Sequence, residues 1–96
     1  MKYRLSAKAD RDVFAIFLAS LRTFGLPQAR RYHDGLLAEV DWLTAFPELA
    51  RERTEFRRGL RFHPYGSHVI VYSIHGPEIL VARVLHGRQQ AERHLT

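Results

Sequence analysis

From residue 9 to residue 24, apolar side chains return every three or four positions: Ala9, Val13, Ile16, Phe17 and Phe24, with Ser20 in the same row. Spacing near 100° per residue puts such a row on one face of a helix. Ser6 is suited to cap that helix, which is then predicted to begin at Ala7. Phe14, Leu18 and Leu21 form a second apolar stripe beside the first, so the apolar arc covers more than half of the circumference. One sheet cannot cover both stripes. Ahead of the helix, Tyr3-Arg4-Leu5 alternates briefly and predicts a short strand. Gly25 suits a helix C-terminus and Pro27 the first turn of the next, so a tight link joins two antiparallel helices. The second helix is predicted from about Pro27 to Phe46, with Ala29, Tyr32, Leu36, Val40 and Leu43 as its core stripe. Trp42 projects roughly 80° from the middle of that stripe. Phe46-Pro47 closes the helix, because the residue before proline avoids helical angles.

After an arginine- and glutamate-rich connection to Gly59, the period changes. Residues 60–63, 68–74 and 78–85 are β-branched or aromatic runs, separated by Pro64-Tyr65-Gly66-Ser67 and His75-Gly76-Pro77. They predict two hairpins in series. The expected fold is therefore α+β: a short N-terminal strand, then a two-helix hairpin packed on an antiparallel β-meander, with a short final helix from about Gln89 to Leu95. Residues 1–96 are expected to form one domain. In a regular last strand, positions 83 and 86 would lie on opposite faces, and His86 would be released only if the strand ended near Leu85.

Composition adds a partner. The formal charge is +5, and all 15 basic residues except Lys2 and Lys8 are arginine, whose planar fork of donors matches carboxylates and phosphates. Arg51, Arg53, Arg57, Arg58 and Arg61 cluster, diluted by Glu48, Glu52 and Glu55; Arg83, Arg88 and Arg93 lie near the C-terminus. With no cysteine there is no disulfide framework or thiolate metal site, and the histidines lack the paired spacing of a metal site on one element. No metal or other cofactor is expected. The charged N-terminus and the absence of a long apolar run predict neither a signal peptide nor a membrane span, and so a cytoplasmic protein.

Several strings resemble the RelE/ParE toxin superfamily in its ParE-like branch: Tyr3-Arg4-Leu5-Ser6 followed by Ala9; Phe46-Pro47-Glu48-Leu49; Arg58-Gly59-Leu60-Arg61; His68-Val69-Ile70-Val71-Tyr72; and Arg83-Val84-Leu85-His86-Gly87-Arg88. Their order and spacing carry the resemblance across nearly the whole chain. It implies the toxin of a type II toxin-antitoxin system, in a hetero-oligomer with a cognate ParD-like antitoxin and touching operator DNA only through that antitoxin. DNA gyrase is the target the ParE-like branch implies. RelE-type members instead cleave messenger RNA on the ribosome.

Ribonuclease chemistry needs an acid, a base and cations around the phosphate. His86, Arg61, Arg83 and Arg88, with His63 and a carboxylate from Glu52 or Glu55, are the available groups. RelE-type nucleases resemble one another in a lysine- and arginine-dense face and a catalytic tyrosine or histidine near the C-terminus; this chain has neither lysine nor tyrosine after Tyr72. The gyrase-type reading is thereby favoured and mRNA cleavage is its alternative. Target contacts are expected at His86, Arg88, Arg58 and Arg61, and antitoxin contacts at Phe14, Leu18, Leu21, Trp42, Arg51 and Arg53. Plainer roles compete: the second helix covers the Phe14 stripe, Arg83 pairs with a carboxylate, and Tyr72 packs in the sheet. A basic nucleic-acid-binding module without toxicity is the third reading. It is disfavoured because the aromatics sit in core-like stripes and form no stacking platform among basic residues.

Overall fold

A computed structural model describes residues 2–53, 59–87 and 93. Strand β1 (Lys2–Leu5) leads into helix α1 (Ala7–Phe24), helix α2 (Leu26–Ala45) and strands β2 (Arg61–Tyr65), β3 (His68–His75) and β4 (Glu78–His86). Ser6 starts α1 as the sequence predicts, its hydroxyl accepting from the Ala9 N–H at 3.0 Å. Gly25, at φ 87°, ends α1 and precedes α2, which carries Pro27 in its first turn. The expected α+β architecture is present. Of the final helix expected over 89–95, only Arg93 lies within the described residues.

The sheet order is β1-β4-β3-β2. The meander β2-β3-β4 is antiparallel, and β1 adds to its β4 edge in parallel, from Lys2 opposite Glu78 to Leu5 opposite Val81. Both hairpins turn on two residues, Gly66-Ser67 and Gly76-Pro77, with glycine at positive φ in the first place (55° and 60°). Glycine first is the type II′ preference, and that turn follows the twist of the strands.

One core lies between the helices and the sheet, built on Ala9, Val13, Leu36, Val40, Leu43, Ile70, Tyr72, Ile79, Val81 and Val84. A second cluster gathers Leu60, Val69, Val71 and Leu85. The division between them follows a bulge. Val71 pairs with Arg83 but Tyr72 pairs with Val81, so Ala82 is an extra residue in β4. Ile79 and Val81 point into the main core, and after the bulge it is Val84 that does so while Leu85 joins the second cluster. Burial along α1 fades toward its C-terminus: Ala9 and Val13 are buried, Ile16, Phe17 and Ser20 half-buried, and Phe24 exposed.

Candidate functional site

β1 accompanies β4 only as far as Val81, which leaves the bulged end of β4 facing the first turns of α1. Side chains from that end of the helix take over its backbone groups. The Ser6 hydroxyl donates to the Ala82 carbonyl at 2.7 Å, and the Ser6 N–H donates to the Val81 carbonyl at 2.9 Å. Asp12 accepts the Val84 N–H at 3.0 Å and grips Arg83 through Nε at 2.8 Å and Nη2 at 3.0 Å. The carboxylate partner expected for Arg83 is therefore Asp12. These hydrogen bonds hold the Arg83 guanidinium above its ordinary pKa, against a smaller opposing effect of burial. Arg83 and His86 line one open cleft of about 230 Å³ with Asp12 and His68. β4 does not stop at Leu85; it runs through His86, whose cross-strand partner is His68.

His68 is held from the opposite side by α2. The Tyr32 hydroxyl lies 2.7 Å from His68 Nδ1 and donates to the Tyr65 carbonyl at 3.1 Å. A phenol has one proton and a carbonyl can only accept; with that proton on the Tyr65 carbonyl, the matching tautomer of His68 carries its hydrogen on Nδ1 and a lone pair on Nε2. The His68 and His86 rings meet edge to face with centroids 5.2 Å apart. Burial, and secondly the neighbouring His86, hold His68 below its ordinary pKa; burial raises that of Tyr32, partly opposed by a backbone hydrogen bond at Ser67. Only His86 of this group figured among the sequence-derived site residues. The signal for His68 was its place at the start of β3 across from the end of β4, which a pass along the chain does not display.

Beside β2 the described part of the basic connection folds back on the sheet. Arg61 donates to the Ala50 carbonyl at 2.6 Å and approaches Glu52 at 4.0 Å. It serves the path of the loop and is separate from the Arg83–His86 cleft. Fully buried Tyr72 donates its hydroxyl to the Pro47 carbonyl at 2.6 Å. Burial raises its pKa, against smaller effects of Arg61 and a backbone hydrogen bond at Ala50. Arg53 stands over the Phe62 ring at 4.8 Å, and Arg51 is exposed. Arg58 and Arg88 lie outside the described residues.

The apolar residues singled out for antitoxin contact fall on two surfaces. Phe14, 63% exposed, lines a cleft of about 420 Å³ between the helices, with Phe17 and His33 on its walls and Asp10, Arg30 and Asp34 among its lining residues. α2 thus leaves Phe14 open. Leu18 is half-buried and Leu21 exposed. Trp42, 41% exposed, belongs to another cluster with Phe46 at 5.1 Å and His63 at 5.9 Å, where His63 is held by Glu39 at 2.6 Å.

Comparison with known proteins decides the family. The profile of the family described as ParE toxin of type II toxin-antitoxin system, parDE, matches residues 3–91. The chain belongs to the ParE toxin family. It is 33% identical to Toxin ParE1 of Caulobacter vibrioides over 93 residues, covering 97% of this chain and 96% of that one. It is likewise 33% identical to Toxin ParE1 of Mycobacterium tuberculosis over 95 residues, covering 98% and 97%. Its fold matches a solved structure of the chromosomal ParDE system from P. aeruginosa with TM-score 0.77, over 92% of this chain and 97% of that one, at 19% identity. This ParE-type toxin is thus a component of a type II toxin-antitoxin system, and none of its described helices is long and apolar enough to cross a membrane.

Proposed function

We propose that this ParE-type toxin acts in the cytoplasm on DNA gyrase and is held inactive by a ParD-like antitoxin that covers the Phe14, Leu18 and Leu21 side of α1, with further contacts at Trp42, Arg51 and Arg53. The observation that carries the antitoxin half is the open cleft at Phe14. A large aromatic ring left mostly in water beside Arg30, Asp10 and Asp34 is the arrangement a partner helix fills, with an apolar anchor and a charged rim. Gyrase is supported over mRNA cleavage by the fate of two arginines. Arg61 and Arg83, two of the groups a nuclease would draw upon, are committed to Ala50 and Glu52 on one side and Asp12 on the other. His86, Arg88 and Arg58 are then the residues through which the toxin would contact its target, Arg61 acting by shaping the loop.

Two measurements test the halves separately. Phe14→Glu should weaken binding to the antitoxin encoded beside this chain at least tenfold while stability stays within about 0.5 kcal/mol, as for other exposed positions. Unchanged affinity would remove the antitoxin from this face. The free toxin should inhibit gyrase-catalysed supercoiling and spare a reconstituted translation reaction; ribosome-dependent mRNA cleavage with intact gyrase activity would replace gyrase by the ribosome.

A further inference from the structure

The Tyr32–His68–His86 cluster is used neither by the core nor by the antitoxin face. His68 and His86 are directly opposite in the β3–β4 ladder, and Gly87 N–H donates to the Ser67 carbonyl at 2.9 Å in the neighbouring pair. Hydrogen-bonded and non-hydrogen-bonded pairs alternate, so 68 and 86 form a non-hydrogen-bonded pair, the kind whose side chains approach closest. Two open clefts, of about 230 and 450 Å³, meet at these two rings.

We propose that His68 and His86 form a two-histidine chelate for a divalent transition-metal ion of the Zn²⁺ class, with Tyr32 as the group that fixes the ligand tautomer of His68. Two imidazoles that each place a nitrogen about 2.0–2.1 Å from one tetrahedral ion have centroids about 5 Å apart. The observed separation is 5.2 Å, with ring planes at 86°. A metal-bound histidine characteristically donates its second ring N–H to a fixed acceptor. His68 does this through Nδ1 to the Tyr32 oxygen at 2.7 Å, leaving Nε2 as the ligand atom. Tyr32 is itself held by the Tyr65 carbonyl. Among the described residues no group of three or more histidines, aspartates or glutamates gathers to hold a metal, so no described residue fills the remaining coordination positions, which are open to water or to a further donor. Such a site is open, and it sits where α1 faces the end of the β3–β4 ladder. A chelate spanning two strands has no signature in spacing along one element.

Calorimetric titration of the full chain with Zn²⁺ alone tests this, alongside side-chain ¹⁵N NMR of the histidines. One ion per chain is expected, bound saturably and released by a chelator. His68→Ala or His86→Ala should weaken binding at least tenfold, and Tyr32→Phe by about tenfold, the usual effect of losing an outer-shell partner. His75→Ala, at an exposed histidine on the far end of β3, should change nothing. NMR should show His68 in the Nδ1–H tautomer before titration and Nε2 shifted on metal addition. The proposal is overturned if the His68→Ala/His86→Ala double variant, shown folded by its amide spectrum, binds Zn²⁺ as the parent does. It is equally overturned if the parent shows no saturable binding, which leaves the two rings as an edge-to-face packing pair.

Discussion

Replacing Asp12 by alanine should injure the fold more than replacing Arg83, although the two form one ion pair. Asp12 accepts from three N–H groups, two on Arg83 and one on the Val84 backbone. Asp12→Ala strands all three, and a buried amide without a partner costs about 1–3 kcal/mol. The pair is 21% exposed on the arginine side and 16% on the aspartate side, intermediate between solvated and buried. Breaking it should then cost about 1–2 kcal/mol, between the roughly 0–1 of surface pairs and the roughly 3–5 of fully buried ones. Asp12→Ala should therefore lose about 2–5 kcal/mol in total. Arg83→Ala leaves Asp12 its Val84 N–H and some contact with water, and should lose only about 1–2 kcal/mol. For a domain of this length those losses lower the melting temperature by roughly 10–25 °C and 5–15 °C respectively. Thermal and urea unfolding of the two variants and of Asp12→Ala/Arg83→Ala measures the difference and the coupling. The reasoning fails if Arg83→Ala is the more damaging, or if the double variant equals the sum of the singles.

Further outcomes follow from other contacts. Ser6→Ala removes both the α1 cap and the hydroxyl donated to Ala82, and urea denaturation should show a loss of about 1–2 kcal/mol. Tyr72→Phe deprives the Pro47 carbonyl of its donor and should cost about 1–2 kcal/mol by the same measurement. His68 is held below its ordinary value of 6.5, so the unfolded chain binds the proton first on acidification; the parent should lose stability as pH falls below 6.5, and His68→Phe should flatten that part of a melting-temperature profile between pH 5 and 7.5.

The helices were legible because their signals are local. Ser6, Gly25, Pro27 and the stripe Leu36, Val40 and Leu43 each act within a turn or two of chain, and α2 ends one residue before Phe46. The meander was legible from its turn residues. The pairing of β1 beside β4 was not, since nothing in Tyr3-Arg4-Leu5 names a partner some 75 positions away. Alternation alone did not bring Arg83 and His86 together. The pleat from Arg83 to His86 is regular, their partners being Val71 and His68, so the two start from opposite faces, and it is the reach of Arg83 toward Asp12 that brings both to one cleft. Arg61 looked like a free cation because arginine beside a strand start has no visible partner in one dimension. Its acceptor, the Ala50 carbonyl, is a backbone atom eleven residues back, and no side-chain pattern encodes it.

The loop after α2 is pinned from beneath at two carbonyls, Pro47 by the phenol of Tyr72 and Ala50 by the guanidinium of Arg61. Leu49, 65% exposed, stands between those two anchors, and exposed Arg51 follows directly. A free loop must lose its conformational freedom when a partner binds, and that loss subtracts from the affinity. Here most of that ordering is already done by side chains rooted in the sheet. An apolar tip and a cation are presented in fixed relation, so a partner that docked here would depend on two side chains it need not touch.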